Sequence, residues 1–313
     1  MRNFLTIFVI IIIALVAQYI YKMYKHDEDM HESHEQYKLV SEYFVGDKTD
    51  ENPILWIHVT NNINARNWVS FNSRNTTKLN QPYLYMTMKS IVDKCNTSFN
   101  ICLIDDDAFR ILIPKWNTNM NGLADPMKQH FRFLGLSKLL FHYGGLVVPP
   151  SFLCTKDLIK MYEKGITETG IFVVENINKS VTSFQSTYFP DTRFMGCKKN
   201  NEKMGSYIQF QESIQDSTAQ PDFIGQRNIW WCNQHVLRKA TLIDGKFIGI
   251  KHLDGTRVDL ADLLENKELD IHVDSFGIYI PSDDILIRSK YKWFARMSQD
   301  QILGSNMSIV KYM

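Results

Sequence analysis

The chain alternates short apolar runs of strand length with amphipathic segments of helical length. In its early part, an apolar run at residues 54–59 is followed by a predicted helix that begins at Pro82 and continues towards Cys95. A second apolar run follows at residues 99–104. Continuous apolar runs indicate strands that are covered on both faces. A strand, a helix and a strand in this order predict a parallel pair with a right-handed crossover.

The later part of the chain predicts more elements of the same kind. The predicted strands are 171–175, 194–198, 247–250 and 276–280, and the predicted helices are 155–164 and 202–214. Asp-Gly pairs at 244–245 and 254–255 flank one of these strands, and such pairs are hairpin turn signals. We therefore expect an α/β domain with a mixed, mostly parallel sheet that is flanked by helices and is antiparallel at its last strands.

The central junction at residues 127–158 organises this pattern. A predicted helix ends in Gly144-Gly145, an apolar strand follows at 146–148, and Pro149-Pro150 closes it because proline has no N–H to donate to a ladder. Reversal from helix to strand within two residues favours a positive φ, which glycine adopts without steric cost.

The first 52 residues have a different composition. Residues 4–21 are almost wholly apolar, and at about 1.5 Å per residue they match the thickness of a bilayer core. We interpret residues 1–25 as an uncleaved signal anchor, with a cleaved signal peptide as the alternative. Residues 26–52 read as a polar stem, residues 53–287 as the folded domain and residues 288–313 as a basic and aromatic helical tail.

Charge and cysteine usage exclude several classes. The formal net charge of +1 gives no reason to expect a nucleic-acid partner, and the five scattered cysteines contain no C-x-x-C pair. We interpret these cysteines as buried free thiols, although one pair would bridge in an oxidising lumen. Glycine-rich phosphate loops and zinc-peptidase or serine-hydrolase motifs do not occur in the sequence.

Residues 139–148, LLFHYGGLVV, resemble the signature of the sugar-transferase family that contains a DXD motif. Pro53 with Ile57-His58 resembles the first strand of that family, and residues 194–198 resemble a later one. The family includes initiating mannosyltransferases of the yeast Golgi and capsular-polysaccharide synthesis proteins. The resemblance implies a GT-A-like fold, that of nucleotide-diphospho-sugar transferases.

The carboxylates of that family are missing here. In the family the strand after the glycines ends in Asp-x-Asp, which holds a divalent cation on the donor diphosphate. These positions fall on Pro149 and Ser151, and the family's helix Asp and Arg fall on Phe133 and Leu136. The resemblance therefore implies a degenerate DXD motif. We predict no metal ligands, and a manganese or magnesium ion would need ligands elsewhere.

The candidate binding residues lie where the predicted strands end. They are His58, Asn64, Arg66, Arg74, Asp105, Asp106, Gly144, Gly145 and Ser151. Arg66 and Arg74 are the first candidates to neutralise a diphosphate, while a plain Asn-rich surface loop is an equal alternative for 60–78. For Asp105 and Asp106, capping of the next helix is the favoured alternative.

These observations together predict a membrane-anchored protein, single-pass and of type II, that resembles a glycosyltransferase. Its expected partners are a nucleotide sugar, a glycan acceptor and the membrane through the N-terminal helix. Catalytic residues are not predicted. The alternative is a catalytically degenerate protein of the same fold that binds a glycan or a partner protein, and the replaced family aspartates leave both readings open.

Overall fold

The computed structural model describes residues 44–45, 51–60, 81–179, 186–215 and 240–313. These residues belong to one compact unit, Tyr43–Met313. Its strands are β1 Phe44–Val45, β2 Ile54–His58, β3 Asn100–Ile104, β4 Gly145–Val147, β5 Phe152–Cys154, β6 Ile171–Ile177, β7 Tyr188–Cys197, β8 Thr241–Ile243 and β9 Gly277–Tyr279.

Helices surround these strands. The α-helices are α1 Pro82–Cys95, α2 Ala108–Leu112, α3 Met127–Tyr143, α4 Ile159–Ile166, α5 Glu202–Gln215, α6 Leu260–Leu264, α7 Ser282–Ile287 and α8 Gln299–Leu303. Short 3₁₀ turns occur at Met120–Gly122, Gly245–Ile248, Ser289–Tyr291, Phe294–Arg296 and Ser308–Tyr312.

The central sheet has the strand order β1-β3-β2-β4-β7-β6-β8. Strand β2 pairs in parallel with both β3 and β4, and β6 pairs in parallel with β8. Only β1 and β7 run against the direction of the other strands in this sheet. The prediction of a mixed α/β domain with a mostly parallel sheet flanked by helices is therefore confirmed at this level.

The parallel centre forms because its strands consist mainly of buried apolar residues. Every residue of β2 is buried, and α1 connects β2 to β3 as the sequence predicts. Pro82 occupies the start of α1, where its missing N–H costs no helical hydrogen bond. The carboxyl ends of β2, β3 and β4 consequently lie at one edge of the sheet.

The double glycine joins α3 to β4 with two positive φ angles, +74° at Gly144 and +103° at Gly145. The carbonyl of Gly144 accepts a 2.9 Å hydrogen bond from Nε1 of the buried Trp56. A Cβ on Gly145 would overlap the carbonyl oxygen of Ile54 on the adjacent strand. Both the conformation and the close approach of β2 therefore require glycine at 145.

The predicted antiparallel end of the sheet is wrong. Residues 245–248 form a 3₁₀ turn and not a strand, because Gly249 adopts a left-handed φ of +66° directly after it. The run at 276–280 does contain β9, but β9 pairs with β5 in a separate two-stranded sheet. The edge of the main sheet is β8 instead, which runs parallel to β6.

Several sequence predictions lie outside the described residues. These are the signal anchor at 1–25, most of the stem at 26–52, and all but the first residue of the Asn-rich loop at 60–78. Among the described residues, no helix combines the length and the apolar character needed to cross a membrane.

The predicted tail and the cysteines are largely described. Among the described residues, Phe294 is fully buried in an apolar core that also contains Leu263 and Ile302. Met297 packs against this core, whereas Trp293 is 45% exposed. The described cysteines are buried free thiols, as predicted: Cys95, Cys102, Cys154 and Cys197.

Candidate functional site

A cavity of about 440 Å³ opens at the carboxyl ends of β2 and β4. The loop after β4 forms its floor with Pro149, Pro150 and Ser151. The first turns of α3 form one wall, and residues of β7, β9 and α7 form the other. Ligand sites of open α/β sheets occupy this position, because strand ends and loops expose polar groups there.

His58 and Arg132, which line the cavity, both bind the carboxylate of Asp106, a residue that follows β3 and is not itself among the lining residues. Arg132 binds it in a bidentate manner, with Nε 2.8 Å from Oδ1 and Nη2 2.7 Å from Oδ2. His58 Nε2 lies 3.0 Å from Oδ1. Since an ionised carboxylate only accepts, the His58 ring carries a proton on Nε2. The ring also stacks on Phe109, with the planes 5° apart.

Electrostatics keep Asp106 ionised. Burial alone would raise its pKa, but hydrogen bonds from Arg132 and His58 outweigh burial and hold the pKa well below the usual range of an aspartate. Lys128 stands one turn before Arg132, and its Nζ is 3.7 Å from Asp106 Oδ2. That distance exceeds a normal hydrogen bond, so Lys128 retains hydrogen-bonding capacity towards the cavity that it lines.

The opposite wall presents Arg193 from β7. Its Nε lies 2.7 Å from Asp191 Oδ2, and its Nη1 lies 3.0 Å from Asp283 Oδ2 on α7. Burial alone would lower the pKa of Arg193, but these carboxylates raise it above its ordinary value. Burial raises the pKa of the adjacent Tyr279 to about 12. Arg193 is thus a fixed cation whose orientation two carboxylates determine.

The structure brings some of the predicted site residues together. His58 contacts Asp106, and His58 and Ser151 line the same cavity. Asp105 caps α2 instead, since its Oδ1 accepts from the backbone N–H groups of Asp107 and Ala108 at 3.0 and 3.1 Å. The capping interpretation of the Asp cluster therefore holds for Asp105 and is wrong for Asp106.

The other predicted residues fall into two groups. Gly144 and Gly145 set the geometry of the junction between α3 and β4, and they are not among the residues that line the cavity. Asn64, Arg66 and Arg74 lie outside the described residues.

The described residues of the cavity do not form a divalent-metal site. Pro149 and Ser151 offer at most a hydroxyl and carbonyl oxygens, and the nearby Asp106 is already bound by His58 and Arg132. In the described part of the chain, no three side chains of His, Cys, Asp or Glu converge in a way that could hold a metal ion. A hard cation needs several oxygen ligands at one point, and these residues do not supply them.

Sequence reasoning missed the cationic residues of both walls. Lys128 and Arg132 are four residues apart, a spacing that places them on one helical face, and this was the available signal. Arg193 gave no such signal because it lies in a strand far along the chain. Phe133 and Leu136, which the sequence analysis singled out through the resemblance, line the same cavity.

Comparison of the sequence with models of protein families finds no match, and comparison with curated proteins finds none either.

Proposed function

We propose that this protein is a GT-A-like, glycosyltransferase-type protein that binds a nucleotide sugar in the 440 Å³ cavity. It would transfer the sugar to a glycan or protein acceptor. One observation carries the proposal: all four positions that correspond to the family's Asp-x-Asp and helix residues line this one cavity. They are Phe133, Leu136, Pro149 and Ser151. The resemblance and the cavity thus point to the same place.

Cationic side chains support an anionic ligand without a metal. Lys128 faces the cavity with spare hydrogen-bonding capacity, and Arg132 and Arg193 flank it. Hydrogen bonds between such cations and phosphate oxygens are among the stronger ones in proteins. Lys128 is the residue we expect to make the first contact with the diphosphate, because the two guanidinium groups are already paired with carboxylates.

The paired charges favour a second candidate function, the binding of a neutral glycan without transfer. Arg132 is compensated by Asp106, and Arg193 by Asp191 and Asp283. A neutral sugar could bind hydrogen-bonding groups of this kind without separating the ion pairs. The missing family aspartates are also consistent with a protein that has lost catalysis.

The membrane anchor stays part of the proposal. The apolar run at residues 4–21 would hold the domain at a membrane, with the polar residues 26–52 as a stem. A type II arrangement would place the domain with its nucleotide sugar in an endomembrane lumen.

Calorimetric titration tests both candidates. The full-length chain is titrated with a panel of nucleotide sugars and with neutral oligosaccharides, as the wild type and as Lys128→Met. We expect Lys128→Met to weaken nucleotide-sugar binding by about 10- to 100-fold, since a hydrogen bond to a charged group contributes roughly 1.5–3 kcal/mol.

Lys138→Met is the matched control. Lys138 lies on the same helix but pairs with Glu212 at 2.7 Å and does not line the cavity. Its replacement should leave the affinity unchanged. Tight binding of neutral oligosaccharides with no binding of any nucleotide sugar would reject the transferase-type proposal in favour of the second candidate.

A further inference from the structure

A small side cavity adjoins the main one. It measures about 50 Å³ and is lined by Val59, Leu84 and Met88 together with Gln81. Thr60, Pro150, Ser282, Asp283 and Leu286 line both cavities, so the small one is a recess of the large one. Its size suits one small substituent of a ligand and not a ring.

One polar side chain that lines the recess, that of Gln81, is buried and has unused hydrogen-bonding capacity. Gln81 is 1% exposed, and its Oε1 accepts a 3.2 Å hydrogen bond from the hydroxyl of Tyr83. Its Nε2 has no hydrogen-bond partner within the part of the chain that the structure describes. A buried amide donor without a partner costs free energy, which a ligand acceptor would recover.

The position of Gln81 follows from the start of α1. Gln81 is the residue directly before Pro82, and its side chain does not cap the helix. The side chain of Gln81 is therefore not needed at the helix start and can bind another group. Tyr83 holds the amide at its oxygen, because Tyr83 is fully buried and packs in a tilted arrangement against Phe294, with 4.8 Å between ring centroids. With Oε1 bound in this way, the amino group is the end of the amide that can donate to a ligand in the recess, which Gln81 lines.

We infer that Gln81 is a specificity-determining residue, whose Nε2 donates a hydrogen bond to an uncharged oxygen of the bound molecule. The inference rests on the proposed function. The main cavity would hold the diphosphate at Lys128, and the recess would hold a carbonyl or hydroxyl oxygen from the uncharged part of the same ligand. An anionic group is disfavoured in the recess, because Asp283 lines it and the apolar side chains of Val59, Leu84 and Met88 would not compensate the desolvation of a charge.

The test separates the anionic from the uncharged part of the ligand. Full-length wild type and Gln81→Met are titrated with pyrophosphate, UDP, GDP, UDP-glucose and GDP-mannose. Methionine keeps the size of the side chain and removes the donor. We expect Gln81→Met to lose about fivefold in affinity for the ligand that the wild type binds best, the effect of one neutral hydrogen bond, with pyrophosphate affinity unchanged.

Comparison of the ligands shows which oxygen accepts from Gln81. If Gln81→Met already loses affinity for the nucleoside diphosphate, the oxygen belongs to the nucleoside. If Gln81→Met loses affinity only for the nucleotide sugar, the oxygen belongs to the sugar. Lys138→Met is the control variant: Lys138 pairs with Glu212 and lines neither the cavity nor the recess, so its replacement should leave all affinities within about twofold.

Three results would overturn the inference. Equal losses for pyrophosphate and for the nucleotide ligands would show that Gln81 acts on the anionic part or on the whole fold. Unchanged affinities in Gln81→Met would show that the recess is not used, with the proposed function intact. A wild type that binds none of the nucleotide probes would reject the proposed function itself, and the inference with it.

Discussion

Replacement of Gly145 by alanine probes the junction on which the cavity depends. Two costs add at this position. A φ of +103° is a conformation that alanine adopts at a cost of about 1–3 kcal/mol. The new Cβ would also overlap the carbonyl oxygen of Ile54 and lie 2.9 Å from its carbonyl carbon, and both atoms belong to the backbone of β2.

Relief of this overlap requires β2 and β4 to move apart. The hydrogen bonds at risk are the 3.0 Å bond from Val148 N–H to the carbonyl of Trp56 and the 2.9 Å bond from Trp56 Nε1 to the carbonyl of Gly144. At about 1 kcal/mol each, their loss adds roughly 2 kcal/mol. We therefore expect Gly145→Ala to lower the free energy of unfolding by about 3–5 kcal/mol, a large share of a typical 5–15 kcal/mol.

Gly255→Ala is the matched control for this prediction. Gly255 also has a positive φ, +83°, but a Cβ there would meet no atom within 4 Å. Gly255→Ala should therefore lower the free energy of unfolding only by the cost of the positive φ, about 1–2 kcal/mol. Urea denaturation of the full-length chain measures both variants, from midpoints at unchanged slope. If Gly145→Ala is no more destabilising than Gly255→Ala, the close approach of the two strands does not constrain this position.

Three further predictions concern the site and the chain ends. Asp106→Asn should lower the free energy of unfolding by about 2–4 kcal/mol at neutral pH. Because the pKa of Asp106 is lowered in the folded state, the difference in unfolding free energy between wild type and Asp106→Asn should shrink in urea titrations as the pH falls below about 4. The control Asp93→Asn, at an exposed position, should change the unfolding free energy by under about 0.5 kcal/mol. By calorimetry, the wild type should bind nucleotide sugar with equal affinity in manganese and in chelator. The double variant Pro149→Asp with Ser151→Asp should bind more tightly in manganese. A wild-type affinity that is lost in chelator would show that metal ligands lie elsewhere in the chain. Removal of residues 1–25 should leave a chain with a cooperative thermal transition by circular dichroism, and a non-cooperative melt would contradict the assigned boundary.

The sequence predicted those elements that local pattern determines. The continuous apolar run of β2 predicts a strand buried on both faces, and Pro82 marks the start of α1, as the structure shows. The Gly144-Gly145 pair predicts a reversal with positive φ, because only glycine lacks the Cβ that makes this conformation costly. Each of these features depends on residues that are close together in the chain.

Short apolar runs were less informative. Residues 247–250 have the composition of a strand, yet the backbone forms a 3₁₀ turn at Gly245–Ile248. Ile248 packs into the apolar core that contains Leu55 and Phe172. An apolar run indicates that a segment is buried, but its backbone conformation depends on the elements against which it packs. For the same reason the sequence could not show that β9 pairs with β5 outside the main sheet.

The site itself was decided by tertiary structure. Asp105 and Asp106 are adjacent and chemically identical, yet one caps α2 and the other binds His58 and Arg132. That division exists because the carboxyl ends of β2 and β3 meet at one edge and α3 crosses it, which places residues 58, 106 and 132 in contact. The sequence determined which residues carry charge and where the chain turns; only the packing of the strands and of α3 determined which of those charges meet, because their contacts span tens of residues of intervening chain.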